Sequence, residues 1–244
     1  MTDDINRPAQ DHKAGAAPGQ AWRRWCLATG AMGSVVLTVG WVLDEIGLPH
    51  YDPVGQSISA LGAVGTERAW AWNLIISASG ACFVALGVGL WPHFRSSRLG
   101  RVGVGLIVLG GAGFLLDGFV RLDTTTAVSL AEALRTGSWH QQVHIIESVI
   151  DITAFTAAPF VLGFVFRRTP LWRNLVAITF ASGAAIAAGG LWFLVDEAHL
   201  GLAERLLIIG IAGWLALVAI HGLTVSAPTG RPEPSWHPPH GGDT

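Results

Sequence analysis

The sequence predicts an all-α protein, a polytopic membrane bundle of six transmembrane helices with both termini in the cytoplasm. Of the 244 residues, 51% are hydrophobic and only 13% are charged, whereas soluble domains average roughly 25% charged residues. Six intervals of at least 15 residues contain no Asp, Glu, Lys or Arg, and they cover residues 25–43, 69–94, 102–116, 152–166, 174–195 and 206–230. Because a helix needs about 20 apolar residues to cross a bilayer, we interpret these intervals as transmembrane segments 1 to 6.

The distribution of positive charge predicts how the segments are oriented. Cytoplasmic loops carry an excess of Lys and Arg. The N-terminal region, the loops after segments 2 and 4, and the C-terminal tail together hold 11 of the 15 Lys and Arg residues. This pattern predicts a multi-pass protein of the plasma membrane with both termini cytoplasmic. The composition indicates no nucleic-acid partner, and the expected partners are membrane lipids.

Segment 1 follows a polar stretch and is expected to be a retained signal anchor. Residues 1–22 are predicted to form a disordered cytoplasmic segment, and Arg23 and Arg24 precede a 19-residue apolar run. That run is longer than the apolar region of a cleaved signal peptide. The transmembrane domain is predicted over residues 23–224. Residues 225–244 form a cytoplasmic tail rich in Pro, Gly and His, with too little apolar content to pack.

The loop between segments 1 and 2 carries hydroxyl and aromatic side chains but few charges. It begins near His50 and includes Ser59, and we expect it to lie over a polar site at the outer face. Ser59 is a candidate nucleophile if a base lies next to it. In the alternative interpretation, its hydroxyl caps a helix and the neighbouring glycines form turns.

Segments 3 and 4 have charge-free runs of 15 residues each, about 22 Å of helix and too short to cross the membrane. Extending segment 3 outward from Arg101 includes Asp117, and extending segment 4 outward from Arg167 includes Asp151 and reaches Glu147. Each aspartate lies 16 residues from its arginine. Since a carboxylate facing lipid is costly, we expect segments 3 and 4 to be neighbours with both aspartates facing the bundle interior.

Segment 4 carries a polar stripe. His140, His144, Glu147 and Asp151 follow one another at i, i+4, i+7 and i+11, and so project within about 60° of one another on an α-helix. Two histidines one turn apart can bind one metal ion. The stripe is also compatible with a proton or cation pathway, or with a hydrated outward-facing vestibule. A third metal ligand could come from Asp151, Glu147, Asp117, Asp123 or His50.

Carboxylates also mark the outward ends of segments 1, 3 and 5, at Asp44, Asp117 and Asp196. The helix dipole disfavours an anion at such an end by a few tenths to about 1 kcal/mol. Each aspartate is therefore expected either to begin the next loop or cap a short helix, or to have a cationic partner such as Arg121 or a metal ion.

Several short motifs resemble the bacterial and archaeal six-helix family catalogued as domain of unknown function 998. The resemblance covers the chain from Trp25 to Leu223 and implies the topology without implying a reaction. The motifs are Ile58-Ser59-Ala60-Leu61-Gly62-Ala63, Asn73 with Gly80, Arg121-Leu122-Asp123-Thr124, and the pair His140 and His144.

The chain is more loosely similar to the CREST superfamily of membrane hydrolases and receptors, which includes the alkaline ceramidases. Zinc sites in that superfamily combine Ser, Asp and His with a His-x-x-x-His pair. The similarity implies a zinc cofactor. Its counterparts here would be Ser59, Asp117 or Asp123, His140 and His144.

These observations support three hypotheses. The first is a zinc-dependent hydrolase that acts on a lipid or another amphiphile at the outer face. The second is a small proton-coupled transporter. The third is a non-catalytic, lipid-organising protein whose polar cluster hydrates a cavity. The candidate residues are His140, His144 and Asp117 as metal ligands, Glu147, Asp151 and Ser59 as catalytic groups, and Arg121, Asp123 and His50 as further members of the polar cluster.

Overall fold

The computed structural model describes residues 18–123 and 130–226. Within these residues, six helices are long and apolar enough to cross a membrane, which confirms the predicted all-α membrane architecture. The predictions made for residues 1–17 and 227–244, which are most of the two cytoplasmic ends, lie outside the described residues. The orientation of the bundle in the membrane stays a prediction.

Segments 1 to 6 correspond to helices α1, α2, α3, α5, α6 and α7. A short helix that the sequence did not predict, α4, precedes α5. In the described chain, 3₁₀ helices at Ile58–Gly62, Pro170–Leu175 and Glu197–His199 lie in the connections. The α-helices are α1 (Pro18–Ile46), α2 (Ala69–Phe94), α3 (Arg98–Asp117), α4 (Leu130–Thr136), α5 (Trp139–Arg168), α6 (Val176–Val195) and α7 (Leu200–Val225).

The spanning helices form a ring in chain order, because each packs on the next and α7 returns to α1. Helices α3 and α5 are therefore neighbours, which confirms the prediction from the equal spacing of Asp117 and Asp151. Inside the ring, the buried side chains Phe83 of α2, Phe114 of α3 and Phe155 of α5 pack with ring centroids 5.0–6.2 Å apart. This aromatic cluster joins the three helices.

Glycines allow α2 and α3 to touch through their backbones. A Cβ atom added at Gly80 would lie 2.3 Å from the backbone nitrogen of Leu115, and one added at Gly111 would lie 2.8 Å from that of Val84. Neither position has room for a side chain, which is the usual reason for small residues at helix contacts in membranes.

One end of the bundle collects the start of α1 and the ends of α2 and α7. Nε2 of His93 contacts the guanidinium group of Arg23 and lies 3.2 Å from Oγ of Ser226. The ring of Trp172 packs edge-on against His93 at 5.4 Å. The Lys- and Arg-rich loops that we predict to be cytoplasmic belong to this end.

At the opposite end, residues 47–68 form a cap loop between α1 and α2. Arg205 of α7 donates to Oε2 of Glu45 at 2.7 Å, and its guanidinium group lies 5.0 Å from the ring centroid of Trp41 and 5.7 Å from that of Tyr51. Tyr51 in turn donates to the carbonyl oxygen of Ser57 at 2.8 Å. Burial raises the pKa of the Tyr51 phenol, so this donor stays protonated and holds the cap loop in place.

Candidate functional site

The start of α5 is fixed to the loop that follows α3. Oγ of Ser138 accepts the backbone N–H of Gln141 at 3.3 Å, which is a helix N-cap. Asp123 accepts the backbone N–H of Ser138 at 2.6 Å as well as its hydroxyl. These bonds from Ser138 lower the pKa of the Asp123 carboxyl. The polar stripe of α5 is thereby set at a defined height beside the end of α3.

Three polar side chains converge between α3 and α5. Nδ1 of His144 lies 2.6 Å from Oδ1 of Asp117 and 4.0 Å from Oε1 of Glu147. One ligand atom from each residue lies within 4.8 Å of the other two. The three side chains are only 9–12% exposed. We call these residues the Asp-His-Glu group, and imidazole and carboxylate donors of this kind are common ligands of divalent metals.

The buried carboxylates around this group have no Lys or Arg beside them in the described chain. Both side-chain oxygens of Glu147 and Oδ1 of Asp151 are buried without a hydrogen-bond partner among the described residues, and Oδ1 of Asp117 has the contact with His144. Asp151 is only 1% exposed. Over residues 18–123 and 130–226, no Lys or Arg forms an ion pair with these carboxylates. Since a buried charge must be paired or bound to a metal, a cation or added protons are required here.

Ser59 has a carboxylate beside it. Its hydroxyl donates to Oε1 of Glu204 at 2.7 Å, and Oε2 of the same carboxylate accepts the backbone N–H groups of Ile58 and Ser59. Glu204 thus binds the N-terminal end of the 3₁₀ helix in the cap loop. Sequence reasoning missed this partner, which lies 145 residues away in the chain. Its only signal was a charge close to the start of segment 6.

A cavity of about 590 Å³ joins these groups. Its polar end is formed by Ser59, Asp117, His144, Asp151 and Glu204. Apart from a few hydroxyl groups, the rest of its wall is apolar and comes mainly from α5, α6 and α7, with Trp72 and Ile76 of α2 and Phe114 of α3. The arrangement is a mostly apolar pocket with a few convergent polar groups, the usual form of a small-molecule site.

The chain was compared with known protein families, curated proteins and solved structures. The family model described as "Protein of unknown function (DUF998)" matches residues 14–221. The chain belongs to the DUF998 family. No curated protein and no solved structure matches this DUF998 protein, so the likeness to CREST hydrolases stays a prediction.

The structure of the DUF998 protein brings several of the predicted site residues together. Asp117, His144 and Glu147 form the Asp-His-Glu group, and Asp151 and Ser59 line the cavity together with Asp117 and His144. The prediction that Asp117 and Asp151 face the bundle interior is confirmed by their burial.

Other predicted residues lie outside the Asp-His-Glu group. The ring of His140 stacks on that of Trp139 at 3.6 Å, so the expected pair of histidine ligands is replaced by one histidine and two carboxylates. Asp123 binds Ser138. Arg121 and His50 are exposed. The three residues of the stripe nearest the membrane centre are buried, whereas His140, in the first turn of α5, is not.

The three aspartates at the outward helix ends of this DUF998 protein have different partners. Asp44 pairs with Arg68 at 3.4 Å, and Asp117 pairs with His144. Asp196 caps the 3₁₀ helix that follows α6. Both predicted outcomes, a cap and a cationic partner, therefore occur.

Proposed function

We propose that this DUF998 protein is a metal-dependent hydrolase that cleaves an amphiphile, with a zinc ion held by Asp117, His144 and Glu147. The observation that carries the proposal is that Asp117 and His144 line the polar end of a mostly apolar cavity, with a ligand atom of Glu147 within 4.8 Å of theirs. A polar reaction centre joined to an apolar pocket suits a molecule with a head and a hydrocarbon chain. One imidazole and two carboxylates also leave a coordination position for water, as catalytic zinc sites do.

The neighbouring residues support hydrolysis. A zinc ion held by Asp117, His144 and Glu147 would supply a water of lowered pKa and would polarise the carbonyl of the scissile ester or amide. Asp151 follows Glu147 by one helical turn, lines the cavity and has an unpartnered oxygen, which suits a general base that takes the proton of the attacking water. The proton then passes to the leaving group as its bond to the carbonyl carbon breaks.

Ser59 offers a second polar contact for the substrate. Its hydroxyl donates to Glu204, and this bond fixes the side chain on the cap loop. The lone pairs of the hydroxyl oxygen stay available to accept a hydrogen bond from a substrate. In the proposed mechanism, Ser59 is a group that contacts the substrate head, with Glu204 as its positioning residue.

A transporter is the weaker proposal. A relay needs polar groups along a path through the bundle, but on α5 the described lining of the cavity beyond Asp151 offers only the hydroxyls of Thr153 and Thr156. The titratable groups that line the cavity are gathered at its polar end, beside the cap loop. That distribution favours chemistry at one membrane face over passage across the membrane.

The test is a comparison of lipid profiles. The purified wild-type protein and the Glu147→Gln variant are each incubated with a total lipid extract of the source cells, with and without a chelator. We expect the wild type to consume at least one ester or amide amphiphile and to release its fatty acid or alcohol, and the chelator or Glu147→Gln to abolish this loss. His140→Ala is the matched control, because His140 is a histidine of α5 outside the Asp-His-Glu group and should keep the activity. Identical profiles for wild type and Glu147→Gln would overturn the proposal.

A further inference from the structure

We infer that the cavity takes a single-chain amphiphile, which enters sideways between α5 and α6 and carries an uncharged or cationic head. The inference rests on the proposed function for what happens at the polar end. The route of entry, the number of chains and the charge of the head follow from the cavity itself.

The cavity opens to the membrane-facing surface of the bundle. Val149 on α5 and Leu191 and Leu194 on α6 line the cavity and are also 53–65% exposed. Side chains that are both lining and outward-facing mark the mouth. Since these residues lie within predicted membrane spans, the mouth faces lipid, and an amphiphile reaches the polar end without leaving the bilayer.

Helices α5 and α6 pack tightly against each other in the half of their length that lies away from the cap loop. A Cβ atom at Gly163 of α5 would lie 2.8 Å from the ring of Phe180, and one at Gly183 of α6 would lie 3.0 Å from the ring of Phe160. These tight contacts end the groove towards mid-membrane. The groove is therefore blind at its apolar end and open along its side.

The dimensions of the groove suit one hydrocarbon chain. On α5 the lining runs from His144 to Ala157, about 20 Å at 1.5 Å per residue, a little more than the ~15 Å of one leaflet. The volume of about 590 Å³ holds ~20 groups of the size of a water molecule at about 30 Å³ each. A head and one chain are of the size that this space accepts, and the groove itself leaves no room for a second chain beside the first.

The electrostatics of the polar end select the head. Its ionisable lining residues are Asp117, Asp151, Glu204 and His144, and no Lys or Arg of the described chain lines the cavity. One divalent ion would neutralise the charge of two carboxylates, and the remaining carboxylates would keep theirs. A phosphate head would then meet uncompensated like charge, so anionic amphiphiles are rejected.

Gly190 of α6 is the residue that sets the length of the chain. It lines the cavity, and a Cβ atom there would meet only Cδ1 of Leu207 at 3.6 Å and Cγ2 of Ile152 at 3.9 Å. These are ordinary contacts, so a side chain at this position is tolerated and extends into the groove. Ala187 lies one turn nearer the apolar end and also lines the cavity.

The probes are 1-O-alkylglycerols with chains of 8 to 18 carbons, whose ether bond resists hydrolysis, titrated onto the purified protein and followed by native mass spectrometry. We expect Gly190→Leu to weaken binding of the hexadecyl compound about tenfold, equivalent to about 1.4 kcal/mol, and to leave the octyl compound within about twofold. Ala187→Phe is a second variant with the same expected direction. The hexadecylglycerol phosphate should bind the wild type at least tenfold more weakly than hexadecylglycerol.

The control is Gly105→Leu on α3, where a Cβ atom has no neighbour within 4 Å and the position is exposed. It should match the wild type for every chain. Equal binding of hexadecylglycerol by the wild type, Gly190→Leu and Ala187→Phe overturns the inference. Binding of hexadecylglycerol phosphate as tightly as hexadecylglycerol also overturns it. So does a two-chain phospholipid that stays bound to the protein instead of hexadecylglycerol. In His144→Ala, which lacks a proposed metal ligand, binding of the alkylglycerols should still depend on chain length as in the wild type. Loss of the metal site therefore leaves this dependence intact, whereas an error in the assignment of the groove removes it.

Discussion

Nδ1 of His144 lies 2.6 Å from Oδ1 of Asp117 and 3.0 Å from the carbonyl oxygen of Val120. The imidazole therefore connects α5 both to the last residue of α3 and to the loop that follows it. A backbone carbonyl at one ring nitrogen is a frequent way to orient a metal-binding histidine. The contact also places a partner beside an aspartate that the dipole of α3 disfavours.

The pair should contribute to stability in metal-free protein. We expect His144→Asn to lower the free energy of unfolding by about 2–4 kcal/mol, because it leaves Asp117 buried without its partner. Adding Asp117→Asn should recover part of that loss. Denaturant unfolding of the four proteins in a double-mutant cycle measures the coupling, and a coupling energy near zero would show that the contact is not an interaction.

The backbone contact between α2 and α3 predicts opposite effects for two Gly→Ala changes. Gly80→Ala should destabilise the bundle by about 1–3 kcal/mol, because the new methyl group meets the backbone of α3 and the helices must separate. Gly105→Ala faces open space and should be neutral or stabilising through helix propensity. Unfolding midpoints in the same detergent decide this, and equal midpoints for the two variants contradict the packing described for α2 and α3.

Glu204 should hold the cap loop over the cavity. The change Glu204→Gln removes the charge that three donors of the cap loop bind. We expect it to lower the free energy of local opening of the cap loop by about 1–3 kcal/mol. Hydrogen exchange of residues 56–63 should accelerate while that of α2 stays unchanged. Glu197→Gln, an exposed glutamate near the same end of α7, is the control. Unchanged exchange in Glu204→Gln would remove its assigned positioning role.

The contact between Asp123 and Ser138 predicts a pH dependence at the start of α5. The pKa of folded Asp123 is lowered by its bonds from Ser138 and by nearby His140. The stability that ionised Asp123 gives to the start of α5 is therefore complete above the ordinary aspartate pKa of about 3.9. It disappears as the pH falls through the lower pKa that Asp123 has in the folded protein. The difference in exchange protection of residues 139–144 between wild type and Asp123→Asn should be constant near neutral pH and vanish at acidic pH. A difference that stays constant as the pH falls well below the ordinary aspartate pKa would contradict this assignment.

The sequence predicted much of this arrangement because helical periodicity and charge placement are local. The short charge-free runs of segments 3 and 4 brought Asp117 and Asp151 to one height, and the stripe placed His144 and Glu147 on the inward face of α5. The partner of Ser59 was missed because only tertiary packing brings Glu204 to the cap loop. The position of His140 was missed because periodicity gives the direction of a side chain but not where the bundle ends.

The central claim is that the Asp-His-Glu group binds a divalent metal and is not neutralised by protons alone. The most direct measurement is the metal content of protein purified without chelators, by inductively coupled plasma mass spectrometry, for wild type, His144→Ala, Glu147→Gln and the His140→Ala control. Our account predicts about one zinc ion per chain in wild type and His140→Ala, and a loss of most of it in His144→Ala and Glu147→Gln. Folded wild-type protein with no metal, or metal that survives both substitutions, would contradict it.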